Sequence, residues 1–204
     1  MRIALIDYRA GNLTSVKKAF AAIGADLFVP VQPSELADAG AVVVPGVGHF
    51  GATETLAVDW TDTIRRGIEA GRPLLGICLG MQWLYEGSAE APELQGLGLL
   101  AGQCYRLPSE SDGTTVKIPH VGWNALDIQH PDSIVEGVAS GSQVYFTHSF
   151  VAPVTDETVA VTVHGQPFAA VVQRGHVAAV QFHPEKSGEV GLTILRNFLR
   201  LADS

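Results

Sequence analysis

The rhythm of apolar positions changes about halfway along the chain. In the first half, short continuous apolar runs alternate with stretches of helical spacing. Residues 2–8, 26–30, 41–44 and 73–77 are such runs, and Ala41-Val42-Val43-Val44 has no polar position at all. Strands covered on both faces read this way. Between the runs, Leu13, Val16, Phe20 and Ile23 recur at three- and four-residue steps. That spacing predicts a helix over 12–23, ended by Gly24. A second helix is predicted within 53–70 and a third from 79–85. Strand–helix alternation predicts a parallel sheet with helices on both faces.

The second half breaks into short strands, predicted at 97–107, 115–118, 124–129, 143–147, 159–163, 168–173 and 177–182. Gly165 and Gly175 stand at hairpin positions. Leu192, Leu195, Phe198, Leu199 and Ala202 form an apolar stripe that predicts a closing helix over 188–202, with Ser187 as its cap. The expected fold class is α/β: a three-layer core whose central sheet is mostly parallel, with added antiparallel strands. One domain over 1–204 is expected.

Composition narrows the function classes. The chain has 204 residues, 47% hydrophobic and 17% charged, enough for a full hydrophobic core. Its formal net charge is −8 and it has no Lys/Arg-rich stretch, so no nucleic-acid partner is expected. No apolar run approaches the roughly 20 residues of a spanning helix, so no membrane segment is expected. The N-terminal run Ile3-Ala4-Leu5-Ile6 is too short for a signal core, and a cytoplasmic protein is expected. The two cysteines make no disulfide framework. The seven histidines form no compact ligand motif, so neither metal nor cofactor is expected.

Cys78 is the thiol with a chemical setting. Gly76-Ile77-Cys78-Leu79-Gly80 follows a buried strand and opens a helix, the thiol form of the G-x-S-x-G nucleophile elbow. Glycines allow close backbone approach, and the helix N-terminus favours a thiolate. Cys104, in a predicted strand, reads as structural. A thiolate nucleophile needs a base and a group to hold that base. His183-Pro184-Glu185 supplies both: in extended chain, residues two apart project to one side. Gly46-Val47-Gly48-His49-Phe50-Gly51 matches a dinucleotide fingerprint in letters, but two strands precede it and the next strand ends in Cys78 rather than an acid. The loop fits better as an oxyanion site, with backbone N–H donors from Val47 or Gly48 and from Leu79. From the residues alone, a cysteine peptidase on a similar α/β core remains open.

Pro45-Gly46-Val47-Gly48, Gly76–Gln82 and Gln181-Phe182-His183-Pro184-Glu185 together resemble the class I glutamine amidotransferase family. The resemblance implies a Cys78–His183–Glu185 triad acting on L-glutamine. It also implies that Gly48, Gln82, His148, Ser149 and Phe150 hold the substrate. Residues 7–13, Pro119–Asn124, Tyr145–Phe150 and His183–Gly188 are similar to the branch that serves as glutaminase subunits of imidazole glycerol phosphate synthases. That similarity implies a heterodimer with a cyclase subunit of (β/α)8 barrel fold, reached through Asn12, Trp123, Tyr145 and Lys186. A subunit of another amidotransferase is the alternative. Arg9 stands where this family usually has a glycine after Asp7-Tyr8.

Overall fold

A computed structural model of the chain describes residues 2–11, 13–56 and 58–203. In chain order the strands are β1 (Arg2–Leu5), β2 (Asp26–Phe28), β3 (Ala41–Val44), β4 (Leu74–Ile77), β5 (Gly87–Ser88), β6 (Gln103–Arg106), β7 (Glu110–Ser111) and β8 (Thr114–Thr115). They continue as β9 (His120–Ala125), β10 (Asp127–Ile128), β11 (Gln143–His148), β12 (Phe150–Val151), β13 (Thr158–His164), β14 (Gln166–Arg174) and β15 (Val177–Val180). The α-helices are α1 (Leu13–Ala22), α2 (Val58–Glu69), α3 (Leu79–Trp83) and α4 (Gly188–Asp203).

Eight strands form the central sheet in the order β10-β13-β14-β15-β4-β3-β1-β2. Pairing is parallel from β2 through β15 and antiparallel from β15 out to β10. Each strand residue faces one layer or the other, as the two-residue pleat requires. Ile3, Leu5, Val43, Leu75 and Ile77 pack with Phe20 of α1 and Phe198 of α4, while Ala4, Val42, Val44 and Leu74 pack with Ile64 of α2 and Met81 of α3. The α/β class with a mostly parallel sheet and antiparallel additions is thus the one adopted.

Local chemistry explains several boundaries. Gly24 at φ 78 ends α1 in a Schellman turn, with Ala25 N–H donating to the Phe20 carbonyl and Gly24 N–H to that of Ala21. Arg9 takes φ 62, the conformation that makes glycine common there, and Asp7 Oδ1 accepts its N–H at 2.9 Å. β1 stops at Leu5, three residues earlier than expected, because the chain turns at this point.

Three other expectations need correction. Residues 97–102 are apolar without being a strand: the N–H groups of Leu97, Gly98 and Leu99 donate to carbonyls of Trp83, Tyr85 and Leu84, so the segment covers the end of α3. The predicted strand 115–118 shrinks to Thr115, paired through β8 with β7, and residues 116–119 leave the ladder. Predicted strand 124–129 starts earlier and divides: β9 pairs with β11 in a separate two-stranded sheet, and only β10 joins the central one. No described helix is long and apolar enough to cross a membrane.

Candidate active site

Cys78 sits between β4 and α3 at φ 53, ψ −105, a backbone that L side chains avoid. Neighbouring glycines make the turn sterically feasible. A Cβ on Gly80 would lie 1.8 Å from the Val44 carbonyl oxygen, and one on Gly76 would lie 2.9 Å from the Gly80 oxygen. The turn is held by Cys78 N–H donating to Val180 O at 2.8 Å and by Gln82 N–H donating to Cys78 O at 3.2 Å. Helix α3 has only 5 residues, so its dipole contributes less at the sulfur than a full helix would.

His183 follows β15, next to β4 in the sheet, and is 2% exposed. Its Nδ1 lies 2.8 Å from Glu185 Oε1, an ion-pair geometry buried on both sides. Burial alone pushes the imidazole toward the neutral form. The Cys78 thiol and the Glu185 carboxylate outweigh it and raise the pKa to about 9. Nε2 is buried without an aligned hydrogen-bond partner, so the interaction with Cys78 is close but not yet a formed bond. Ser187, expected to cap α4, uses its hydroxyl elsewhere. It donates to the His183 carbonyl at 2.6 Å and accepts from Tyr145 N–H at 3.0 Å.

Two of the backbone donors expected for an oxyanion, those of Leu79 and Val47, are occupied. Leu79 N–H donates to Gly46 O at 3.3 Å, and Val47 N–H donates to Ala10 O at 3.0 Å. Gly48 adopts φ 96 beside them. The dinucleotide alternative finds no support in this geometry. Gly46–Gly51 leads into a 3-10 turn, Phe50–Thr55, whose start is held by Glu90 Oε2 accepting from Phe50 N–H at 2.7 Å.

A cavity of about 320 Å³ opens over the sulfur, lined by Val47, Gly48, Cys78, Leu79, Gln82, His148, Ser149 and Phe150 among others. Every residue expected to hold the substrate or the oxyanion is thus at one place. Glu90, Pro119 and Thr147 line it too, and sequence reasoning missed them. They are brought in by tertiary folding, and no local spacing marks them. Of the residues expected at a partner surface, Trp123 is 56% exposed and its ring meets Tyr145 edge-on at 6.0 Å. Lys186 Nζ lies over the Tyr145 ring at 5.7 Å, so these three side chains form one cluster. Asn12 lies outside the described residues. Among the described residues, no group of three or more His, Cys, Asp or Glu side chains is placed to hold a metal ion.

With a thiol elbow, a carboxylate-held imidazole and a cavity above them, the chain matches the family Glutamine amidotransferase class-I over residues 4–202, and it belongs to that family. It is 45% identical to the imidazole glycerol phosphate synthase subunit HisH of Syntrophotalea carbinolica, across 96% of this chain and 98% of that protein. It is 44% identical to the HisH subunit of Methanothermobacter thermautotrophicus, across 98% of each. A solved glutamine amidotransferase superposes with a TM-score of 0.75 at 23% identity, covering 98% of this chain and 99% of that one, a likeness of fold.

Proposed function

We propose that the chain is the glutaminase subunit of an imidazole glycerol phosphate synthase, a cytoplasmic single-domain enzyme of histidine biosynthesis. It hydrolyses L-glutamine to L-glutamate and passes the ammonia to a cyclase subunit of (β/α)8 barrel fold. The reading rests chiefly on one observation: Cys78 on a strained elbow faces a 320 Å³ cavity with the His183–Glu185 pair behind it. Near-complete alignment with HisH subunits adds support.

In this reading the Cys78 thiolate attacks the side-chain amide carbon of glutamine. The C–N bond breaks, and His183 gives its proton to the departing nitrogen, which leaves as ammonia. The γ-glutamyl thioester is then hydrolysed by water that His183 deprotonates, freeing the thiol and glutamate. Glu185 holds the imidazole through Nδ1 and stabilises its charged form. Gly48, Gln82, His148, Ser149 and Phe150 hold the α-amino and carboxylate groups, and Glu90 adds a negative charge suited to the ammonium. Trp123, Tyr145 and Lys186 belong to the surface that meets the cyclase, and Asn12 is assigned there with them.

The occupied donors point to a regulated site. While Leu79 N–H serves Gly46 O and Val47 N–H serves Ala10 O, neither is free to serve a tetrahedral oxyanion. Losing one such donor costs about 3–4 kcal/mol of transition-state stabilisation, a factor of roughly 10²–10³ in rate. A rotation of the Gly46–Val47 peptide, favoured by the bound cyclase, would release them. Glutamate release is therefore expected to rise by about 10² or more when the cyclase and its ligand are added, and to vanish in Cys78→Ser. A rate unchanged by the cyclase rejects this partner. Wild-type release in Cys78→Ser rejects the mechanism.

A further inference from the structure

We propose that Gln181 is a catalytic hydrogen-bond donor to the Cys78 sulfur, held in place by a chain of uncharged side chains that reaches the β9–β11 sheet. The proposal deepens the reading of Cys78 as the glutaminase nucleophile and rests on it.

Gln181 is fully buried, and its Nε2 lies 3.7 Å from Cys78 Sγ. Which end of the amide faces the sulfur follows from its neighbours. The Phe150 carbonyl can only accept, and Gln82 Nε2 donates to it at 2.9 Å. The second hydrogen on Gln82 Nε2 then meets Gln181 Oε1 at 3.2 Å. With its oxygen facing Gln82, Gln181 has only its N–H₂ to present to the sulfur.

The same carbonyl anchors the rest of the chain. His148 Nδ1 lies 3.1 Å from Phe150 O, so this nitrogen carries the hydrogen. Burial, and then His120, lower the His148 pKa to about 3; burial, and then His164, lower that of His120 to about 4. Both rings are neutral, with one N–H each. His148 Nε2 therefore accepts from His120 Nδ1 at 3.1 Å, which leaves His120 Nε2 to accept from Asn124 Nδ2 at 3.3 Å. Asn124 is fixed in turn: its Oδ1 accepts from Ala125 N–H at 2.8 Å and its Nδ2 donates to Val163 O at 3.0 Å. Every hydrogen from Asn124 to Gln181 is assigned, and no alternative tautomer fits.

A donor set before charge appears needs no reorganisation when it does appear. Negative charge develops on the sulfur twice, when the thiol proton moves to His183 and when the thioester collapses. Gln181 and His183 both lie in the short segment that follows β15, and both reach the sulfur. An N–H donor to a charged acceptor strengthens in a site closed to water.

The test compares wild type with Gln181→Met, which keeps length and loses the donor, and Gln181→Glu, which keeps an oxygen for Gln82 and replaces the N–H₂. Two readouts are needed. The first is the rate at which iodoacetamide alkylates Cys78 at neutral pH, located by mass spectrometry. The second is kcat and KM for glutamine in complex with the cyclase. Both variants are expected to slow alkylation about 10-fold and to lower kcat roughly 10- to 100-fold, with KM within about 3-fold. A residue that only fills space would leave the alkylation rate of the folded protein unmoved. Should Gln181→Met not fold, Gln181→Leu, which also lacks a donor and adds no charge, carries the test. Wild-type alkylation and kcat in a folded variant overturn the proposal while leaving the glutaminase reading intact. Slowed alkylation in a protein whose wild type releases no glutamate keeps the donor and rejects that reading.

Discussion

Two buried histidine sites in this molecule titrate in opposite directions. His183 and His148 are both nearly inaccessible, at 2% and 7% exposure. Burial drives each toward neutrality, yet His183 is raised to about 9 and His148 lowered to about 3. The difference lies in the neighbours. His183 has a carboxylate at 2.8 Å and the Cys78 sulfur beside it, and the carboxylate and a thiolate both favour imidazolium. His148 has another imidazole at 3.1 Å and a backbone carbonyl, a set that works only with a neutral ring. One site is built to move a proton and the other to hold one still.

The comparison breaks most sharply at Glu185. Glu185→Gln removes the charge and leaves an amide of the same shape, so it is expected to lower glutamate release by about 10² or more. The alkaline fall of kcat/KM, centred near 9 in wild type, should move to lower pH in that variant. An unmoved midpoint would mean that Glu185 does not set the His183 proton affinity.

Stability against pH sharpens the contrast with a smaller effect. His183 binds its proton more tightly folded than unfolded, so its contribution is complete below an unfolded pKa of about 6.5 and is lost as pH rises through about 9. His148 has the opposite sign: its contribution is present above about 6.5 and drains away as pH falls toward about 3. Linkage puts the loss from His148 on the order of 2 kcal/mol at pH 5. Urea unfolding across this range should show both limbs, and His183→Asn should flatten only the alkaline one. The smallest effect is expected at the second cysteine. Cys104 is fully buried, and burial pushes its thiol up. Cys104→Ala should leave kcat within about 2-fold and reduce stability by about 1 kcal/mol. A loss of activity like that of Cys78→Ser would show that the two thiols are not divided into chemical and structural roles.

Much of this was readable before the fold. The Cys78 elbow is local: sharp turn, flanking glycines and buried strand all lie within seven or eight residues, and local sterics set it. His183-Pro184-Glu185 is equally local, but the expected extended chain is not what joins the pair: only His183 is extended, and Pro184–Lys186 form a 3-10 turn that brings the Glu185 carboxylate to the imidazole. The cavity residues Gly48, Gln82, His148, Ser149 and Phe150 were reached through family resemblance, because nothing near any of them in sequence marks a substrate contact. Ser187 shows the limit of local reading. A serine before a helix reads as a cap, yet its hydroxyl joins His183 to Tyr145, 42 positions apart from it along the chain.

The amino-acid order by itself determined the alternation of strands and helices, the strained turn at Cys78 and the nearness of Glu185 to His183, since these follow from side-chain period, backbone sterics and short chain separation respectively; that the pair meets through a 3-10 turn was not legible. Only the tertiary structure decided that the Leu79 and Val47 N–H groups are already occupied, that the β9–β11 strands stand apart from the central sheet, and that Gln181 faces the sulfur. Those outcomes depend on which partners long-range packing brings within hydrogen-bond reach, and no short stretch of chain contains both members of such a pair.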